Sequence, residues 1–510
     1  MKLITAFCLL FTVSFYAQTQ VDIDWPTLAD SPWPMIKHDP QFTGRTKNIG
    51  PKSPIVLWSA HRENGIFSGP VIGEEGNLYF GSYAQLFMET DRFYSYTPSG
   101  NFRWEYITGS ERPPQSGILI DSSNTIYFGS IDSNFYAMNP DGTLKWKCQL
   151  GDWVEEIAMP NIDLEGNLYI TDYNGYLYSI ASSGEIRWQV RYESGFRRMS
   201  SVFSPDGQSI YIFGADSNMF ALNLDGSLNW KFSCNKSLRA PLVDSQGNIY
   251  LIESGVPQTL HSINNAGFVN WSTAIFESAI PTNSIPTIDY DGNIYLYCKD
   301  SLEPIKERNI LSYTHEGEFR WSFNLEISEN EFDEIWQPLI CDGDGTIYFG
   351  SSYGHYYYAV DKNGNLLWKI PLNGMQLDHT SAIAEDGTLY FGVHVNSLFL
   401  TTSRTLFAIG DSVTSVSESS QLPQQFSLEQ NYPNPFNPST IIDYSLVEPG
   451  YVEIIISDIL GHEIARPVSE YKTSGEYSLQ FDSNQLSSGV YFYSILFGDH
   501  IKTKKMIILK

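Results

Sequence analysis

Eight tryptophans, Trp58, Trp104, Trp146, Trp188, Trp230, Trp271, Trp321 and Trp368, recur at intervals of 46, 42, 42, 42, 41, 50 and 47 residues. A steady period in this range marks repeated supersecondary units that bury their faces only against neighbours, so it constrains the fold before any motif is weighed. The unit reads small-x-Pro, apolar residues, Asp-x-x-Gly-Asn, apolar-Tyr-apolar-Gly-Ser, a polar loop, apolar-Tyr-Ala, then x-Asp-Gly-x-apolar-x-Trp. In one copy the apolar stretches are Gly117–Ile120, Ile126–Ser130, Phe135–Met138 and Leu144–Lys147. Each is short, rich in aromatic and β-branched residues, and bounded by Gly, Asp and Asn, which suit tight hairpins.

Four antiparallel strands per repeat describe one blade of a β-propeller. Seven blades end at Trp104, Trp146, Trp188, Trp230, Trp271, Trp321 and Trp368, and an eighth copy, Ser381 to Gly410, lacks its tryptophan strand. The segment Pro54–Trp58 matches that missing strand. The predicted fold is therefore all-β: an eight-bladed β-propeller closed by an N-terminal strand, followed by a small C-terminal β-sandwich. Closure removes exposed sheet edges, and the tryptophans are read as core, each docking one blade on the next.

Trp146 after Asn139, Pro140, Asp141 and Gly142, with Tyr127, Phe128, Gly129 and Ser130 upstream, resembles the quinoprotein-type (PQQ-like) propeller repeat, over residues 54–410. Relatives of that type include pyrroloquinoline quinone dehydrogenases and the outer-membrane assembly propeller. The dehydrogenase activity such a resemblance suggests needs an adjacent cysteine pair over the cofactor and a calcium held by acidic and amide side chains. This chain has no adjacent cysteines, so no cofactor residue is carried over and no cofactor is expected.

Residues 1–17, with Lys2, an apolar run from Leu3 to Phe15 and Ala17, read as a cleaved secretory signal. Residues 18–53 are expected to form a strap over the ring. Its stretch Pro32–Asp39 with Thr43, Gly44 and Arg45 is similar to the lead-in of exported propellers, with His38 and Asp39 in a structural hydrogen bond. Residues 411–425, rich in Ser, Gln and Glu, read as a linker. From 426 to 510 strands alternate with turns at about ten-residue spacing, consistent with a β-sandwich. Its opening, Leu428 to Thr440 (LEQNYPNPFNPST), with Ser457–Gly461, Leu486–Tyr491 and Lys504–Met506, resembles the C-terminal sorting domain of type IX secretion cargo. That resemblance implies engagement of the type IX machinery and residence outside the cell or on the outer-membrane surface.

No later segment reaches the ~18 apolar residues of a membrane span, so the chain is read as not transmembrane. The net charge of -27, from 31 basic and 58 acidic residues, repels phosphate backbones, which argues against nucleic acid as a partner. The cysteines outside the signal, Cys148, Cys234, Cys298 and Cys341, show no CxxC or adjacent pair. Buried free thiols are expected, with neither a metal framework nor a disulfide scaffold.

In a four-stranded blade the first-to-second and third-to-fourth turns share one face, while second-to-third loops and blade-to-blade connections share the other. The long insertions, Ser82–Arg92, Lys299–Asn309, Glu326–Gln337 and Val393–Thr405, all map to the second face, where binding is usually grafted. The residues two places before the small-x-Pro proline or its equivalent should look into the funnel there: Ser68, Gln115, Ala158, Met199, Arg239, Ser284, Trp336 and His379. They are chemically unlike one another. Gln115, Arg197, Arg198, Arg239, Trp336, Asp378 and His379 are the candidate ligand-binding residues, with Glu155 and Glu334 nearby. Asp378 beside His379 lacks any nucleophile context, so no catalytic residue is assigned. Asp289–Asn293 and Asp342–Gly345 resemble calcium loops but lack the further ligands of one, and are read as hairpin turns. The expected function is an exported, non-enzymatic propeller that binds an extracellular protein or glycan through its funnel face. The alternative is a secreted polysaccharide lyase or hydrolase, or a divergent quinoprotein.

Overall fold

The computed structural model describes residues 20–509 except 63–65, 68, 84–91, 109–115, 155–157, 193–194, 197–199, 235–237, 256, 276–278, 281–284, 301–307, 326–334, 336–337, 352–355, 373–374, 377–379, 396–403, 412–425, 448–449, 473–474, 484–485 and 498–499. The signal-like residues 1–17 lie outside the described residues.

Between Pro54 and Asp411 the described strands form eight antiparallel sheets. In the blade ending at Trp146 (blade 2, counting from the blade ending at Trp104) they are Ile118–Ile120, Ile126–Gly129, Asn134–Met138 and Leu144–Gln149. The second and third strands are buried and the outer strand is largely exposed. In the eighth sheet the outer strand is Pro54–Arg62, which pairs antiparallel with Arg404–Asp411 from Pro54↔Asp411 to Arg62↔Arg404. The N-terminal strand thus completes the last blade.

The tryptophan register has a specific chemical basis. Each indole Nε1–H donates, at 2.8–3.0 Å, to a backbone carbonyl of the following blade: Trp58 to Pro98, Trp104 to Pro140, Trp146 to Ser182, Trp188 to Leu224, Trp230 to Asn265, Trp271 to His315 and Trp321 to Lys362. Trp368 donates to Pro51, just ahead of the closing strand. The acceptor turn also carries the repeat's glycine. At Gly142, Gly184 and Gly364 the backbone has φ of +88°, +93° and +86°, and an added Cβ would lie 2.6–2.8 Å from the indole of the preceding blade. Glycine is needed there twice, for its left-handed backbone and for the flat approach of the ring.

One expectation is corrected. The repeat pattern predicts core tryptophans, but seven of the eight are half-buried, and only Trp368 is buried. They sit on outermost strands, where the ring covers a glycine turn and remains partly open to solvent. The core lies further in, among residues such as Tyr127, Phe128, Phe135 and Tyr136.

A second repeated device holds the first-to-second turns. Asp121, Asp163, Asp244, Asp289 and Asp342 each accept the backbone N–H four residues on. Each also accepts the phenol of the tyrosine six residues on (Tyr127, Tyr169, Tyr250, Tyr295, Tyr348) at 2.6–3.0 Å. The two calcium-like stretches are therefore turns whose first carboxylate is committed to the backbone. Their other carboxylates, Asp291 and Asp344, face Lys362 and Lys52 at 2.7 and 3.2 Å.

Beyond the ring, one sheet runs Ser427–Leu428, Ser439–Leu446 and Gly475–Asp482. Another contains Gly450–Ser457, Glu463–Lys472, Gly489–Phe497 and His500–Ile508. Ile442, Tyr444, Ile454, Tyr493, Ile495 and Met506 from the two sheets share one apolar cluster, which makes this unit a β-sandwich.

Candidate functional site

The innermost strands of a propeller are sheet edges facing the axis, and their free N–H and C=O groups need partners. The N-terminal strap supplies them. The N–H groups of Ile72, Ile120, Phe203, Val243, Ile288 and Cys341 donate to Trp33, Pro34, Pro40, Gln41, Thr43 and Gly44 carbonyls at 2.8–3.2 Å. Asn161 Nδ2 in blade 3 also reaches Pro40 O, at 3.0 Å. Fourteen residues, 33–46, thereby touch blades one to seven in order, and the Ile49 carbonyl lies against Gly387 of the eighth. All these partners sit at the ends of innermost strands beside the first-to-second turns, so the strap covers the first face of the ring.

The strap is tightly wound, with Lys37, His38 and Phe42 at φ of 67°, 76° and 57°. Trp33, Met35, Lys37 and Phe42 are fully buried. Lys37 Nζ donates to the carbonyls of Pro286 and Leu339 at 2.8 and 3.2 Å, and burial pushes its pKa down to about 7. The expected His38–Asp39 hydrogen bond is not formed, Nδ1 and Oδ2 standing 3.6 Å apart. Asp39 directs its oxygens to the Thr43 N–H and hydroxyl instead, because the left-handed turn at His38 brings that backbone within reach.

The sequence-derived candidates are expected at the end of the axis opposite the strap. Gln115, Arg197, Arg198, Trp336, Asp378 and His379 lie outside the described residues, as do Ser68, Met199, Ser284, Glu155 and Glu334. Ala158 is described and buried. Arg239 is placed by its backbone as the second residue of the strand Leu238–Val243, opposite Ile252. The register breaks between Arg239 and Leu242, where Pro241 has no N–H to give the ladder.

Next to Arg239 in the fold is a constellation that cysteine spacing did not reveal. Cys234 follows the outer strand of blade 4 (Leu228–Ser233), Glu253 ends the second strand of blade 5 (Ile249–Glu253), and His261 lies on the third (Thr259–Ile263). In that hairpin Leu251 opposes His261 and Glu253 opposes Thr259, so Glu253 and His261 are diagonal neighbours on one face. His261 Nε2 is 3.1 Å from Glu253 Oε2, and His261 Nδ1 is 2.8 Å from Ser272 Oγ on the fourth strand. Burial first, and the Glu253 carboxylate second, push the Cys234 thiol up to about 12. A thiol held in that state is a poor nucleophile, which argues against a cysteine–histidine catalytic pair. The hairpin alternation was legible in the sequence for Glu253 and His261; Cys234 joins them only through blade stacking.

Residues 430–509 match the family model of the secretion system C-terminal sorting domain. Residues 89–240 and, overlapping them, 137–286 match that of the outer membrane protein assembly factor BamB. Among solved structures the chain is similar to BamB from Moraxella catarrhalis, with TM-score 0.50 and 13% identity over 70% of this chain and 99% of that one. It is similar also to the Dos1 propeller, with TM-score 0.50 and 12% identity over 71% of this chain and 96% of that one. At such identities the likeness is one of fold. No curated protein matches the chain. The chain carries a PQQ-like propeller and, behind it, a type IX sorting domain, which implies contact with that machinery and export to the cell surface or the extracellular space. No helix among the described residues is long and apolar enough to cross a membrane.

Proposed function

We propose that the chain is an exported, non-enzymatic propeller that binds an extracellular protein or glycan through the second face of its ring. One observation carries this reading: the strap pairs with innermost strands around the first face. Access to the axis is thereby left to the second face, to which the sequence reading assigns the long, dissimilar insertions. Rigid rings with one plugged end commonly present ligands at the other, because the scaffold tolerates loop change there. The net charge of -27 disfavours polyanionic partners and leaves neutral or basic protein surfaces and uncharged glycans.

The test is a glycan and protein binding screen on the purified chain, read by quenching of tryptophan fluorescence and by release of reducing ends. Saturable binding without product, weakened by Arg239→Ala and Trp336→Ala together, is the expected result. Product release, or affinity unchanged in that double variant, refutes the proposal.

A further inference from the structure

We propose that Cys234, Glu253 and His261 form a zinc site that staples blade 4 to blade 5 on the second face of the ring. The Cys234 sulfur, a Glu253 carboxylate oxygen and a His261 ring nitrogen all lie within 4.8 Å of one another. Zinc–ligand bonds of about 2.0–2.3 Å in a tetrahedron separate neighbouring donors by roughly 3.3–3.8 Å, so small side-chain rotations bring the three around one ion. The donor set of one sulfur, one nitrogen and one oxygen suits a borderline cation and is unsuited to calcium or magnesium, which take oxygen ligands.

The charges also balance. A divalent ion with one thiolate, one carboxylate and a neutral imidazole makes a neutral group, which a half-buried position accepts far better than an isolated ion. The site has the outer partner that metal-bound histidines require. When Nε2 turns to the metal, Nδ1 carries the proton and donates to Ser272 Oγ, already 2.8 Å away. The serine hydroxyl can accept as well as donate, so the tautomer change costs it no partner. The Cys234 thiol proton passes to solvent on binding. Three protein ligands leave a fourth position for water or for a group of a bound partner. The reach is short: Cys234 N–H is tied at 3.0 Å to Ser217 O of blade 4, while both other ligands belong to the central hairpin of blade 5.

The full chain, stripped by chelator, is titrated with zinc against a chromophoric competitor and, separately, with cobalt. A single tight site with a thiolate-to-cobalt charge-transfer band is expected. Cys234→Ser and His261→Ala should each weaken zinc binding by more than about 100-fold. Ser272→Ala should weaken it by about 10–100-fold, the usual effect of losing an orienting partner. Zinc should also protect Cys234 from alkylation in the unaltered protein, a readout that does not depend on how well the variants fold. Zinc affinity equal in the protein and in Cys234→Ser, or alkylation of Cys234 at the same rate with and without zinc, overturns the assignment. Neither result bears on whether the face binds a protein or a glycan.

Discussion

The contact between indole and glycine can be isolated by two substitutions that share a backbone cost and differ only in the ring. Gly166 and Gly184 both have left-handed backbone, with φ of +84° and +93°. A Cβ at Gly166 meets nothing within 4 Å, whereas at Gly184 it would lie 2.8, 3.0 and 3.2 Å from three Trp146 ring atoms. Alanine in this conformation costs about 1 kcal/mol in either place. At Gly184 it must also push the indole away. That weakens the 2.9 Å bond from Trp146 Nε1 to Ser182 O, a net contribution of about 0.5–1.5 kcal/mol. It also disturbs the ring contacts with Tyr127 and Phe135, each of about 0.5–1.5 kcal/mol. Gly166→Ala should therefore cost about 1 kcal/mol and Gly184→Ala about 2–4 kcal/mol, read from the propeller transition in urea by far-ultraviolet circular dichroism. In a Trp146→Ala background the cost of Gly184→Ala should fall to that of Gly166→Ala. Equal costs for the two glycines, or strict additivity with Trp146→Ala, would refute the stacking account.

Three further outcomes are expected. Trp368→Ala should destabilise by about 3–5 kcal/mol and by more than Trp146→Ala, since Trp368 is buried and its N–H holds Pro51 at the closing seam; the same urea transition checks it. Tyr127→Phe strips a donor from the buried Asp121 carboxylate and should cost about 1–3 kcal/mol. Tyr211→Phe, whose buried hydroxyl has no carboxylate acceptor within hydrogen-bond reach among the described residues, should cost less than about 1 kcal/mol, and thermal melts of the pair decide between these values. Lys37 has its folded pKa depressed from 10.5 to about 7, so between these limits the unfolded chain binds more protons than the folded one. Its contribution to stability rises with pH through that window, by up to about 1.4 kcal/mol per pH unit. Lys37→Met should flatten the rise between pH 7 and 9, and an unchanged slope in urea titrations would remove Lys37 as its source.

The ring was legible because its period is carried by large side chains with fixed tasks: tryptophan on a glycine turn, and aspartate under a tyrosine. The burial of those tryptophans was not, because residue size says nothing about which side of an outer strand faces water. The strap was identifiable as a segment, yet its pairing was hidden, since it bonds through backbone groups that leave no pattern in the side chains. The zinc ligands escaped for a related reason. Cys234 and His261 stand on different blades, and cysteine spacing along the chain does not register proximity created by stacking.

The closing strand and the strap place the earliest residues of the propeller against its latest. A chain threaded head first through a membrane delivers 44–62 long before their partners at 341–411 exist on the far side. Until then the end of the strap and the closing strand lack their partners. Such distant pairings form slowly and expose unpaired edges while they wait. Closure of the wheel is thus coupled to complete delivery of the repeats, so in a transport-arrested chain the strand Pro54–Arg62 should be protease-sensitive.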